Sequence, residues 1–276
     1  MLGRRPSRLQ PVSGGDICMA SRAWLPDGTQ VLVKTRPGAP DDFFTTEAAE
    51  LAWLGKAGAV AVPEVLGVDE DALALGWVEE TRPTAAAAEA LGRGLVALHR
   101  AGADAFGSSD GGYIGTLPTE AGEFEDWPTF FAARRIEPFL QLARDRGALD
   151  DGEVRAVEQV VERIGDLAGP AEPPARIHGD LWSGNVLWGA GDVPWLVDPA
   201  AHGGHRETDL ALLALFGAPG LDTVLTAYQQ VWPLADGWRE RVPLHQLHPL
   251  LVHAALFGGG YGAGAAQAAR QALAAR

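Results

Sequence analysis

The first quarter of the chain reads as short alternating apolar runs with one helical stretch, and helical spacing dominates the rest. ICMASRAWL and TQVLVK flank the turn Pro26-Asp27-Gly28 and predict an antiparallel hairpin. In its second strand Val31 and Val33 share one face, which puts Leu32 and Lys34 together on the other. From Asp41 to Ala57 the period lengthens to that of a helix, with acidic residues at the start, where the helix dipole favours them. Phe43, Leu51 and Leu54 form its apolar stripe, and Glu47 falls on that stripe one turn after Phe43. A carboxylate so placed requires a cation. VPEVLGV and ALALGWVEE supply two further strands.

At Pro83 the composition changes to the alanine-rich helical run TAAAAEALGRGLVALHR. The change places a hinge at Gly76 to Pro83 and divides the chain into residues 1–79 and 80–276. The expected fold is α+β: a small strand-rich lobe with one main helix, then a larger, mainly helical lobe. Helices are predicted in PTFFAARRIEPFLQLARDRG, DGEVRAVEQVVERIGDL, TDLALLALFG, HPLLVHAALFGGG and the alanine-rich tail. Residues 106–127 have no clear period and read as a loop long enough to suspect a functional role.

Composition narrows the classes. A hydrophobic content of 47% against 21% charged residues excludes a largely disordered chain, and 276 residues suffice for one large core or two lobes. The 36 Asp and Glu outnumber the 22 Lys and Arg, and a net charge of −14 repels nucleic-acid phosphates, so no nucleic-acid partner is expected. The one cysteine, Cys18, cannot form an internal disulfide. MLGRRPSRLQ lacks the apolar stretch of a signal peptide and no apolar run reaches membrane-spanning length; a cytoplasmic protein without a membrane partner is expected.

HGDLWSGN, residues 178–185, interrupts the helical pattern and leads into VLW, the turn-rich GAGDVP and WLV. Pairing Val186 to Trp188 with Trp195 to Val197 as a hairpin carries Asn185, at the entry of one strand, next to Asp198, at the exit of the other. A carboxamide oxygen beside a carboxylate offers hard donors that suit Mg²⁺, which takes its other ligands from water and nucleotide phosphates. Asp180, in the loop entering the hairpin, is placed to accept a proton. This division of labour fits phosphoryl transfer, with Lys34 and Glu47 as the strand lysine and helix glutamate that the chemistry also needs. Lys34 would bind the α- and β-phosphates as a point charge. In Ser13 to Gly15, Gly14 and Gly15 are candidates for a loop covering those phosphates, with a spacing short of the full G-x-G-x-x-G.

His178 reads as a structural hydrogen-bonder of the loop. Asp209 opens an apolar helix and reads as a cap, or as a carboxylate accepting backbone N–H bonds from the loop around Asp180. A zinc site from His178, Asp198, His202 and His205 matches no helical metal motif and is set aside.

HGDLWSGN, DPA at 198–200 and GHRETDLALLALFG together resemble the fructosamine kinase (ketosamine 3-kinase) family. The likeness extends through SGGDI, VLVK, FFTTEAAEL, LGRGLVALH, YIGTLP, DWPTFF and LFGGGY. The tryptophan of GDLWSGN separates that family from the related aminoglycoside phosphotransferases and choline kinases. The resemblance implies a bilobal protein-kinase-like fold, ATP and Mg²⁺ as cofactors, and a small-molecule or protein-bound ketosamine whose sugar is phosphorylated so that the amine is freed. It implies Asp180 as catalytic base, Asn185 and Asp198 as metal ligands, and Lys34 with Glu47 as the phosphate anchor. Gly76, Trp77, Val78 and Glu79 would be the hinge whose backbone meets adenine. The alternatives are another hydroxyl acceptor, such as an aminoglycoside, a choline-like alcohol or a free sugar, and a non-catalytic nucleotide-binding protein. The chain departs from the family pattern at Gly112, His202, Gly203 and Val252, and several of these positions are expected to border the acceptor pocket. Cys18 is expected to serve as a small hydrophobe in a strand.

Overall fold

The computed structural model of the protein describes residues 5–12 and 17–275. Five strands, β1 (Arg8–Val12), β2 (Met19–Trp24), β3 (Gln30–Thr35), β4 (Val65–Val68) and β5 (Ala72–Gly76), form one antiparallel sheet in the order β1-β2-β3-β5-β4. β2 and β3 make the expected hairpin, with Ala20 opposite Lys34 and Arg22 opposite Leu32. On the other side of β3, Leu73 and Leu75 of β5 pair with Lys34 and Leu32, so one sheet face carries the lysine amid leucines. Val31 turns to the opposite face and packs with Ala23 and Leu25.

The helix α1 (Phe43–Gly55) lies across the lysine-bearing face, where Phe43, Phe44, Ala48 and Leu51 pack with Leu73 and Leu75. Asp42 occupies its N-cap position without capping it; the carboxylate accepts instead from the Tyr113 hydroxyl at 2.6 Å. β1 was not predicted. It is an exposed edge strand, and with so little of it buried its sequence carries no alternation to detect. Cys18 sits just before β2 and packs, partly buried, among the side chains under α1.

The helix α2 (Ala85–Arg100) starts at Thr84, whose hydroxyl accepts from the Ala87 N–H at 3.0 Å. Beyond it, helices Asp151–Glu162, Trp238–Phe257 and Tyr261–Ala274 enclose an apolar core to which they contribute Val157, Leu247, Leu251, Ala265 and Ala269. Trp238–Phe257 starts ten residues before the helix expected from HPLLVHAALFGGG and holds Pro243 and Pro249 within it. Burial of Leu244, Leu247 and Leu251 outweighs the backbone hydrogen bonds those prolines remove. Helix Leu221–Val231 also went unforeseen. No helix among the described residues is long and apolar enough to cross a membrane.

Residues 106–127 do not form one loop. Phe106–Ser108 pairs with Gly122–Phe124 and, through Gly107, with His202–Gly204, while Gly112–Ile114 pairs with Leu117–Thr119. Strands of three residues are too short to show a period.

Gly92 of α2 is a point of close approach to helix Leu221–Val231, where a Cβ would lie 2.3 Å from the Val224 carbonyl oxygen. Gly92→Val is expected to part the two helices and destabilise the protein by roughly 1–3 kcal/mol, read as a lower Tm. Gly165→Ala, whose added Cβ meets nothing within 4 Å, is expected to keep Tm at or above the wild-type value.

Candidate active site

Sheet, α1 and the Val186–Leu196 hairpin meet at Lys34. Its Nζ donates to both Glu47 carboxylate oxygens at 2.7 Å and to Asp198 Oδ1 at 2.8 Å. An ammonium has three donors, and these bonds use them all. Burial alone would lower the Lys34 pKa, but the two carboxylates outweigh it and hold the value above that of an ordinary lysine. Lys34 and Glu47 are buried while the Asp198 side chain is 50% exposed, so the triad opens to solvent on the Asp198 side.

The hairpin forms as its sequence predicts, with Val186 opposite Leu196 and Trp188 opposite Pro194. Asn185 therefore lies beside the chain leaving the second strand, and its carbonyl accepts from the Val197 N–H at 3.1 Å. The Asn185 amide nitrogen donates to the Asp180 carbonyl at 2.8 Å, to Asp180 Oδ2 at 3.2 Å and to the Asp198 carbonyl at 3.3 Å. With the nitrogen committed, the carboxamide oxygen is the group left to meet a cation. Asp198 has a left-handed backbone, φ +54°, uncommon outside glycine. An Asn oxygen and an Asp carboxylate form a donor set of the kind Mg²⁺ takes.

The loop carrying Asp180 is held from behind by Asp209, which is fully buried in the first turn of helix Arg206–Leu215. Asp209 Oδ2 accepts from the His178 N–H at 2.8 Å and Oδ1 from the Gly179 N–H at 3.0 Å. His99 Nε2, from α2, lies 3.2 Å from Oδ2, and the His99 Nδ1 meets the Tyr228 hydroxyl at 2.9 Å. Burial pushes the Asp209 carboxyl up, but the His99 contact more than offsets it and the pKa falls below the usual carboxylate value. The helix cap is His205, not Asp209. His178 is buried, and burial lowers its pKa. Its Nε2 lies 2.9 Å from the Val197 carbonyl, which can only accept, so Nε2 carries the proton and Nδ1 accepts from the Asp180 N–H at 3.3 Å. Gly179 allows the turn: at φ +81° a Cβ would stand 2.1 Å from the Ala200 carbonyl. Farther along the loop the Trp182 ring folds over Gly184, where a Cβ would lie 2.2 Å from it.

Asp180 itself is partly buried. Burial, and then the Asp198 charge, push its pKa up to about 7 against the opposing Asn185 hydrogen bond.

At the end of β5, the Gly76 N–H donates to the Glu64 carbonyl at 2.8 Å and the Trp77 N–H to the Gln30 carbonyl at 3.3 Å. Trp77 Nε1 and Arg22 both donate to Glu79 Oε2 at 2.9 Å, with the guanidinium 4.2 Å from the Trp77 ring centre. Val78 lies between them, partly buried. Glu80 then bridges to Gly189, and the Thr81 N–H donates to the Trp188 carbonyl at 2.6 Å. The segment leaving β5 is thus clasped to the hairpin that carries Asn185 and Asp198. Gly14 and Gly15 lie outside the described residues.

The set-aside zinc grouping does not form, since His178 faces the Val197 carbonyl and His202 Nδ1 the Ala200 carbonyl at 2.8 Å. His205 instead lies with Glu207 and His245, their ligand atoms within 4.8 Å of one another. Arg241 occupies both Glu207 oxygens, at 2.9 and 2.6 Å, so that cluster is closed by an internal ion pair. The departures from the family pattern fall at tightly packed positions. Val252 and His202 are buried, and at Gly203 a Cβ would stand 1.9 Å from the Ala105 carbonyl. Gly112 packs against Glu50, whose Oε1 would lie 2.9 Å from an added Cβ. Sequence reasoning missed His99 and Tyr228; the available signal was a histidine on the buried stripe Leu91, Leu95, Leu98 of α2.

A β-rich N-terminal region over a helical C-terminal one, with these groups between, is the architecture of the protein-kinase-like phosphotransferases. An aminoglycoside phosphotransferase solved with AMP-PNP and hygromycin B shares the fold with a TM-score of 0.67 at 16% identity, over 99% of this chain and 96% of that one. Within that class, the fructosamine kinase family profile matches residues 3–275, and the chain belongs to this family. A provisionally named fructosamine-3-kinase from Thermobifida fusca is 51% identical, with a TM-score of 0.94 over 99% of this chain and 96% of that one. A provisionally named ketoamine kinase of Enterococcus faecium is 34% identical over 257 residues, 91% of this chain and 90% of its own. The protein is an ATP-dependent phosphotransferase.

A carboxyl whose pKa is raised on folding contributes stability that is present below its unfolded pKa and is lost as pH rises through the folded one. For Asp180 that loss builds as pH rises from the ordinary carboxylate range and is complete once pH passes about 7. Asp180→Asn is therefore expected to raise Tm at pH 8, with the gain fading steadily as pH falls from about 7 into the ordinary carboxylate range, in thermal melts across pH. A gain that persists unchanged at pH 5 would assign it to packing instead.

Proposed function

We propose that the protein transfers the γ-phosphoryl group of ATP·Mg²⁺ to a sugar hydroxyl of a ketosamine, as a step in freeing glycated amines. The linking of Lys34, Glu47, Asp180, Asn185 and Asp198 by hydrogen bonds at one site, in a member of the fructosamine kinase family, supports this reading. Residues 1–79 hold the nucleotide and residues 80–276 the acceptor, with adenine against the backbone of Gly76 to Glu79 and the phosphates at Lys34.

Lys34 has no donor to spare, so a phosphate oxygen takes the bond now made to Asp198 and Glu47 keeps the ammonium in place. Asp198, freed of that bond, and the Asn185 oxygen would hold the cation. Mg²⁺ supplies neutralisation of phosphate charge when bound. Asp180 accepts the sugar hydroxyl proton as the new O–P bond forms and the bond to ADP breaks. Asp209 and His178 hold the loop so that this proton is met at a fixed position. Positioning and electrostatics carry most of the rate enhancement. Phosphorylation at the third sugar carbon destabilises the adduct and lets the amine depart.

Asp180→Asn is expected to lower kcat by roughly 10²- to 10⁴-fold with ATP affinity retained, measured by ADP release and calorimetry. A neutral carboxyl cannot take a proton, so kcat/KM for the acceptor is expected to rise with pH through about 7. Ribulosyl-lysine, fructosyl-lysine and kanamycin assayed side by side test the acceptor class. Turnover of kanamycin alone would overturn the ketosamine assignment.

A further inference from the structure

Among the described residues, few large apolar side chains are exposed, and three of them gather beside the Asp180 loop. Trp182 is 39% exposed, Phe216 38% and Phe257 55%. They belong to one row of rings. Trp182 meets Phe216 edge-on with centroids 6.1 Å apart, Phe216 lies 5.1 Å from His253, and His253 lies 5.6 Å from Phe257 and 5.0 Å from Tyr261. The loop 178–185, the end of helix Arg206–Leu215, the last turns of Trp238–Phe257 and the first residue of Tyr261–Ala274 all contribute. Gly258 and Gly259, both at φ +63°, bring Tyr261 back against His253. A contiguous exposed apolar surface next to a reactive loop marks a binding surface.

His253 gives the row a polar member. Its Nδ1 lies 2.7 Å from the Pro249 carbonyl, which only accepts, so Nδ1 carries the ring proton and Nε2 presents a lone pair. Burial lowers the His253 pKa, consistent with a neutral ring.

We infer that this row is the subsite for the amine-derived part of the acceptor, favouring ketosamines of aromatic or cationic amines. The inference rests on the ketosamine reading above. With the sugar hydroxyl at Asp180, Trp182 leads from the reacting end to the remainder of the molecule. The adduct nitrogen donates to His253 Nε2, and an aromatic or cationic substituent lies on the Phe216 and Phe257 rings. These residues set selectivity and take no part in proton or phosphoryl transfer.

The test measures KM and kcat for the ribulosyl adducts of phenethylamine, Nα-acetyl-lysine and glycine. Wild type is expected to prefer the first two, and Phe257→Ala to shrink that preference by roughly 3- to 30-fold, mainly in KM. His253→Ala is expected to raise KM for all three adducts, and His253→Gln, which keeps an acceptor oxygen, to recover part of the loss. Phe216→Ala repeats the comparison if Phe257→Ala lowers Tm. A preference absent from wild type, or unchanged by both phenylalanine substitutions, overturns this inference alone. No turnover of any of the three adducts by wild type overturns it together with the ketosamine assignment.

Discussion

The ion triad of Lys34, Glu47 and Asp198 is the interaction on which the rest of the site depends, because its members come from three separate parts of the chain. Lys34 belongs to β3, Glu47 to α1 and Asp198 to the exit of the hairpin, and 164 positions separate the first from the last. Taking these charges out of water is costly, and the cost is offset only while every member keeps its partners. One cation between two anions also leaves the cluster with an excess of negative charge. Burial, and after it the charge of Asp198, hold the Asp180 pKa near 7. The same field that disfavours an ionised Asp180 favours the entry of a divalent cation.

A second buried set supports the first from below. Asp209 reaches forward to two backbone N–H groups of the reactive loop and back to His99, which in turn meets Tyr228. Because α2 and helix Leu221–Val231 supply those last two residues, the packing around Gly92 bears on the position of Asp180 although it is remote in sequence. Stability and active-site geometry are thereby linked through helices that touch no substrate.

The reactive groups were legible because each lies in a short stretch whose chemistry is local. Lys34 follows from strand alternation, Glu47 from its place on a helical stripe, and Asn185 with Asp198 from the closing of one hairpin. Of their supports, Asp209 and His178 were legible as well, and the pair behind them was not. His99 and Tyr228 are 129 residues apart and meet only through tertiary packing. The three-residue strands in 106–127 were hidden for a similar reason, since their pairing partners, not their own sequences, define them. Gly203 and Val252 were legible only as departures from a family pattern, and their tight packing is likewise a product of tertiary contacts. Trp182 has a packing requirement of its own, since its ring occupies the space a side chain at Gly184 would fill.

The clasp between Glu80–Thr81 and Trp188–Gly189 has a mechanical consequence. The connection from β5 and the hairpin bearing Asn185 and Asp198 are fastened to each other, so a rotation of the sheet about that connection leaves the hairpin at the pivot. Near a pivot, displacements are small, whereas Lys34 sits out along the lever on β3. Movement of the sheet would therefore be taken up as stretching or release of the Lys34–Asp198 bond, with the Asn185–Asp198 spacing conserved.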